Sequence, residues 1–347
     1  MLVTLIIIIA FSLLVVFHEF GHYIIAKLLK VKVEKFAIGF GPEWFGFKGK
    51  ETHYSVNLFP LGGYVRMLGD EAGDPNAKAP RSYLAQKWYK RAAIVAFGPV
   101  MNFVLAILLF TIIFMVGVSV PDTSTTRIGY VYENTPAFKA GIKEGDIVTK
   151  VNNQEIKGWE ELTKIIQPNY GKELRLEVLR DKKPLILRLI PEYDKERKVG
   201  ILGIRSSQKL ERDNPLNAFI KGCAETYSWT VITLKAIWWM VSGQIAPEVS
   251  GPVGIAQMIS VGVKAGFASL VAFIAVLSIN LGVFNLFPIP ILDGGHILFL
   301  VIEAIKGKPV NAEKVKIAQT IGLALLLLIF LFATYKDIVR LLIPGPK

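Results

Sequence analysis

The sequence predicts a multi-pass α-helical membrane protein of about four transmembrane helices, with a membrane-associated β-hairpin or loop and one extramembrane β/α domain. Three observations carry that expectation. Of 347 residues, 52% are hydrophobic, and the mean hydropathy is +0.45, too apolar for an ordinary soluble domain. The apolar residues are gathered into four stretches almost free of charge, each about as long as a helix needs to cross a bilayer. A single polar block of short β-branched runs separated by Gly and Asn turns lies between the second and third stretches.

The first stretch covers residues 2–26. A short apolar N-terminus can belong to a cleaved leader, but this one has no basic start and no small-residue cleavage site, and its apolar character resumes after His22 through Tyr23, Ile24, Ile25 and Ala26. It reads as one span with polar residues embedded in it. The others are residues 92–120, 267–287 and 317–335, with Lys87, Trp88, Tyr89, Lys90 and Arg91 before the second and Lys316, Tyr335 and Lys336 around the fourth. Such basic and aromatic flanks anchor helices at a membrane interface. The connection 27–91 holds 12 Lys or Arg against six acids, which places it in the cytoplasm and leaves both termini and the polar block outside. The net charge of +12 is therefore read as membrane-flanking, and no nucleic-acid partner is expected. Cys223 is the single cysteine, which excludes an internal disulfide.

Domain boundaries follow. Residues 1–120 hold the first two spans and, at about 36–70, a Gly- and aromatic-rich stretch read as a β-hairpin or loop against the bilayer. Residues 121–213 form the extramembrane domain. Residues 214–347 hold the last two spans, preceded at 215–244 by a Trp-rich segment interrupted by Lys221, Glu225 and Lys235. That pattern suggests an amphipathic helix on the outer surface, with a fifth span as the alternative.

The chemistry concentrates in His18-Glu19-Phe20-Gly21-His22. On a helix, residues i and i+4 share a face, so both imidazoles can reach one Zn²⁺ while Glu19 stands beside it as catalytic base. With four histidines in the chain, chance supplies such a match roughly 0.002 times. A carboxylate inside a spanning helix costs about 2.5–3.5 kcal/mol on insertion scales, so Glu19 needs a compensating partner, and a metal supplies it. Catalytic zinc usually takes a third protein ligand and keeps one position open. The third span runs into Asn285-Leu-Phe-Pro-Ile-Pro-Ile-Leu-Asp293-Gly-Gly-His296, where two prolines stop regular helix and leave a carboxylate at membrane depth. Asp293 is the expected third ligand; His296 and a merely structural Asp-Gly turn are the alternatives.

These motifs, with the Gly98-Pro-Val-Met-Asn102 stretch and Gly62-Gly63-Tyr64, resemble the site-2 protease family of intramembrane metalloproteases, and within it the bacterial single-PDZ type. In the polar block, residues 132–156 are similar to the core of bacterial PDZ domains; its peptide-binding loop falls at 127–131 or 200–204. The resemblance implies one Zn²⁺, Asn102 and Asn285 holding substrate near the metal, a re-entrant β-loop around Gly62, Gly63 and Tyr64 that presents substrate as an extended strand, and a PDZ-like domain that screens a peptide or substrate ectodomain. On their own chemistry, the two asparagines could equally bridge helices. The implied function is cleavage of single-span membrane proteins within the cell membrane, such as anti-sigma factors or remnant signal peptides, with the active site towards the cytoplasmic side. A PDZ-bearing membrane scaffold and a metal-ion transporter are the alternatives.

Overall fold

The computed structural model describes residues 2–71, 73–195, 198–245 and 251–342; Met1 and 343–347, the outer ends of the first and last expected segments, lie outside them. The chain divides into two compact units, one of residues 1–116 with 213–347 and one of residues 117–212.

In the first unit, four helices are long and apolar enough to cross a membrane. Helix α1 (Leu2–Leu28) leads into strands β1 (Val33–Lys48) and β2 (His53–Met67), and then α2 (Trp88–Val116). The two strands do not make a simple hairpin. Each bends, β1 at Gly39 and Gly41 with φ of 85° and 87°, so the central arm 33–38 pairs on both sides. Lys35 faces His53 and Ile38 faces Val56 on one side, while Phe36 faces Val65 and Ile38 faces Gly63 on the other. A fourth arm pairs Phe47 with Tyr54. The result is a four-armed sheet in the order 43–48, 53–57, 33–38, 63–67, an antiparallel pair more elaborate than the expected hairpin or loop. Positive φ at its Gly pair, unavailable to most residues, is what lets one strand serve as two arms. Among the described residues no further strand pairs with 63–67, so that arm is a free edge.

The second unit is built from β3 (Val118–Pro121), β4 (Ile128–Val131), α3 (Pro136–Lys139), β5 (Ile147–Val151), β6 (Gln154–Glu155), α4 (Trp159–Ile166), β7 (Leu174–Arg180), β8 (Lys183–Leu189), β9 (Glu192–Asp194), β10 (Val199–Ile201), β11 (Ile204–Ser206) and β12 (Gln208–Glu211). The largest sheet runs β6-β5-β7-β8. Its inward residues Val148, Val151, Leu174, Leu176 and Val178 close a core with Leu162 of α4, the period-2 alternation of a half-buried sheet. The two candidate ligand loops converge, since Ile204 of β11 pairs with Val131 of β4.

The chain returns through α5 (Pro215–Val241), α6 (Pro252–Ala265), α7 (Phe267–Asn285), α8 (Asp293–Lys306) and α9 (Ala312–Leu342). Helix α5, expected as an amphipathic helix on the outer surface or else a fifth span, is not among the four helices long and apolar enough to cross a membrane, and it packs against them. Its buried residues Ala218, Gly222 and Thr226 recur every four positions and dock on α2. A Cβ at Gly222 would sit 2.9 Å from the Ile107 carbonyl, and the Thr233 hydroxyl donates to the side-chain Oδ1 of Asn280 in α7 at 2.9 Å. Small residues at this spacing let two backbones approach, a signal that the Trp and Lys pattern hides. Helix α9 exposes much of its apolar surface, and near its end Asp337 accepts the Gly254 amide of α6 at 2.7 Å.

Within the second unit, Asp146 is almost fully buried and receives two hydrogen bonds from Arg180, at 2.8 and 2.7 Å. Burial pushes its carboxyl up, but the Arg180 guanidinium and the Lys143 amide outweigh this and hold it below the usual carboxylate range. A carboxyl depressed by folding contributes stability that is present above its unfolded pKa, about 3.9, and lost as pH falls through the folded value. Thermal unfolding of the 117–212 unit, followed by circular dichroism, should therefore fall in midpoint as pH drops below about 4. Asp146→Asn should lower the midpoint at pH 7 and flatten that acid slope.

Candidate metal centre

His18, Glu19 and His22 lie on adjacent faces of α1, one turn apart, as their spacing requires. His18 Nε2 and His22 Nε2 are 3.3 Å apart. Asp293, the first residue of α8, brings its carboxylate to 3.1 Å from His18 Nε2 and 3.6 Å from His22 Nε2. These three side chains form the one potential metal-holding group among the described residues, their ligand atoms all within 4.8 Å of one another. Two imidazoles and one carboxylate are a donor set suited to catalytic zinc, which usually takes three protein ligands. His296 is not in the group; one turn further along α8, it lines a cavity of 770 Å³ with Arg91, Tyr83 and Glu303.

Backbone proximity creates this arrangement. A Cβ at Gly21 of α1 would lie 2.1 Å from the Phe97 carbonyl oxygen, and one at Gly98 of α2 would lie 2.3 Å from His22 Nε2 and 3.0 Å from His18 Cε1. Neither position admits a side chain, so α1 and α2 cross in contact at the level of the imidazoles. Gly294 and Gly295 play the same part beneath Asp293, where a Cβ would meet the carbonyls of Leu286 and Ile289 at 2.3 and 2.2 Å. The Pro-rich turn thus folds directly onto the start of α8. Arg91 of α2 and Glu303 of α8 form a largely buried ion pair that ties α8 to α2 two to three turns beyond Asp293.

Ring orientation is set from behind. His22 Nδ1 donates to the Ile94 carbonyl at 2.9 Å, leaving Nε2 free for a metal. His18 Nδ1 lies 3.1 Å from the Asn102 side-chain amide and 3.4 Å from that of Asn285. Asn102 is fully buried with Nδ2 towards His18 and Oδ1 without a partner; with the amide turned end for end, Oδ1 would accept Nδ1–H and leave the ring's Nε2 unprotonated. Both asparagines were expected at the substrate. The rotation of α2 and α7 against α1 brings both side chains to the back of the His18 ring.

The free edge of the sheet comes to the same place. Gly63 lies so close to α1 that its Cβ would be 3.4 Å from Glu19 Cγ and 3.5 Å from Val15, and 2.8 Å from the Ala37 carbonyl oxygen. Gly62 has φ +117°, with a Cβ position 2.1 Å from the Phe40 ring. Tyr64 stacks on Phe40, ring centroids 6.3 Å apart. Gly21 and Gly98 had no role in the expected site; the signal was present only as glycines inside motifs, without the partner across the helix crossing.

The sequence profile of Peptidase family M50 matches residues 6–329. A Clostridium acetobutylicum protein named only as a candidate zinc metalloprotease is 40% identical over 96% of both chains. The regulator of sigma-W protease RasP of Bacillus subtilis is 32% identical, over 96% of this chain and 97% of its own length, and the zinc metalloprotease RasP of Oceanobacillus iheyensis is 33% identical over 96% and 98%. Among solved structures, the PDZ domain of an SdrC-like protein from Listeria monocytogenes matches 23% of this chain and 85% of its own, at 19% identity and a TM-score of 0.21.

Replacing Asp293 by Asn or Ala should lower zinc content together with activity, because two imidazoles alone would then hold a dication at low dielectric. His296→Ala should leave zinc content near that of the wild type. Metal analysis of the purified variants checks both, and loss of zinc from the His296 variant alone would reverse the assignment.

Proposed function

Because the chain belongs to Peptidase family M50 and is a zinc metalloprotease of the membrane, we propose that His18, His22 and Asp293 hold its single Zn²⁺ and that Glu19 is its catalytic base. The observation that carries this reading is the convergence of two imidazoles and one carboxylate, from helices far apart in sequence, within 4.8 Å. Membership of a peptidase family sets the enzyme above a membrane scaffold or an ion transporter.

When bound, Zn²⁺ polarises the scissile carbonyl and acidifies water. The chain's own groups do the rest. Glu19 takes a proton from the attacking water and returns it to the leaving amine; Asn102, Asn285 and the Ile94 carbonyl keep the imidazoles aimed. No covalent acyl-enzyme is needed. A helical substrate hides its peptide bonds in its own hydrogen bonds, so it must unwind locally. The free edge at 63–67 can then pair with the released backbone, satisfying groups that no water reaches. Gly62, Gly63 and Tyr64 are thus the substrate-presenting residues, and substrates are single-span membrane proteins, of which anti-sigma factors and remnant signal peptides are instances. The basic 27–91 connection puts the site towards the cytoplasm, with termini and the PDZ-like unit outside. That unit takes a peptide or substrate ectodomain and filters what enters.

Glu19→Gln should retain wild-type zinc and lose nearly all cleavage of a single-span substrate, since Gln cannot accept the water's proton; turnover at the wild-type rate would remove Glu19 from the role. Replacing residues 117–212 by a flexible linker should leave cleavage of a trimmed substrate largely unchanged while admitting a bulky untrimmed one. Equal discrimination by the intact and shortened enzymes would exclude the filter.

A further inference from the structure

We propose that Tyr23 and Tyr54 form a clasp that sets the height of the sheet's free edge over Glu19, and so decides which peptide bond of a substrate strand is cut. The proposal rests on the strand-presenting reading above. Val15, Glu19 and Tyr23 lie at intervals of four on one face of α1, the face turned to the sheet. Gly63 meets Val15 and Glu19 on that stripe. One turn further on, the Tyr23 and Tyr54 hydroxyls are 2.7 Å apart, a side-chain hydrogen bond between the stripe and the sheet.

The rings around this bond engage three of the four arms. Tyr23 packs edge-on to Phe36 of the central arm at 5.3 Å, and Tyr54 stacks on Phe47 of the outer arm at 5.0 Å. Apolar contacts of this kind let a sheet slide along a helix at small cost, whereas a hydroxyl pair has a fixed length. Successive residues of an added strand advance by about 3.3 Å, and a slip of one residue also turns each carbonyl and side chain to the opposite side. Holding the edge arm to less than one residue is therefore what gives a single scissile bond, and the clasp, acting through the central arm that joins 53–57 to 63–67, is a directional contact between α1 and the sheet that can do so. Tyr23 and Tyr54 touch neither metal nor reacting atoms; they are positioning residues.

The test uses the full chain reconstituted in bilayer discs, with Tyr23→Phe, Tyr54→Phe and the double variant, which keep every ring. Zinc content should equal that of the wild type. On a single-span peptide substrate, kcat should fall about 3- to 10-fold, the scale of one lost hydrogen bond, with KM nearly unchanged. Mass spectrometry of the products should show cleavage spreading to neighbouring bonds, and the double variant should be no worse than either single one. Hydrogen exchange over residues 62–67 in the substrate-free protein should quicken in both single variants. Cleavage at the wild-type bond alone with unchanged kcat, losses that add in the double variant, or unchanged exchange would each overturn the clasp. Absence of cleavage by the wild type would instead overturn the proposed function, while the exchange measurement still decides the clasp.

Discussion

Helices α1 and α2 touch at Gly21 and Gly98, where a Cβ would lie 2.1 Å from the Phe97 carbonyl oxygen and 2.3 Å from His22 Nε2. That contact is the constraint from which the site follows. With the backbones this close, His22 reaches the Ile94 carbonyl and His18 reaches Asn102, so both rings are oriented by the neighbouring helix and not by α1 alone. Any side chain at Gly98 would occupy the volume of the imidazoles, and one at Gly21 would push α2 away and take both supports with it. A polar cluster in an apolar bundle is costly unless its members are satisfied; here nearly every ring nitrogen and carboxylate has a partner, with the remaining valence turned inward to one point.

Two further attachments bring the other participants to that point. Helix α8 is held by the turn packed under Gly294 and Gly295 and by the buried Arg91–Glu303 pair. Removing one member of such a pair typically costs about 3–5 kcal/mol, because the other charge stays buried, so the pair makes the position of Asp293 depend on the first turn of α2. The sheet is attached to α1 by small residues and aromatic rings, which brings a backbone edge beside Glu19 without a bulky side chain between them. The three residues of the candidate metal group, Glu19 and the free edge thus come from three segments, α1, α8 and the 63–67 arm, each of which meets its neighbours at glycines.

Much of this was legible in the sequence, for identifiable reasons. The four spans are long runs of one composition, and His18, Glu19 and His22 form a local motif whose geometry follows from helix periodicity. Asp293 could be read because prolines and a carboxylate at membrane depth demand a function. What escaped depends on long-range packing. Nothing local says that Asn102 and Asn285 turn to His18, since this is set by rotation of α2 and α7. The sheet was underestimated because alternating residues and glycines indicate a hairpin, while the doubling of β1 about Gly39 and Gly41 needs the pairing partners. The packing of α5 against α2 was not legible because its Trp and Lys residues dominate the pattern, whereas the stripe of Ala218, Gly222 and Thr226 that docks it is small and silent.

X-ray absorption at the zinc edge of the purified wild-type protein tests the central claim most directly. The account predicts one zinc per chain with two imidazole nitrogens and carboxylate oxygen in its first shell, at about 2.0–2.2 Å, and a remaining light-atom position not supplied by the chain. A third imidazole, or a zinc-free protein that still cleaves, would contradict it.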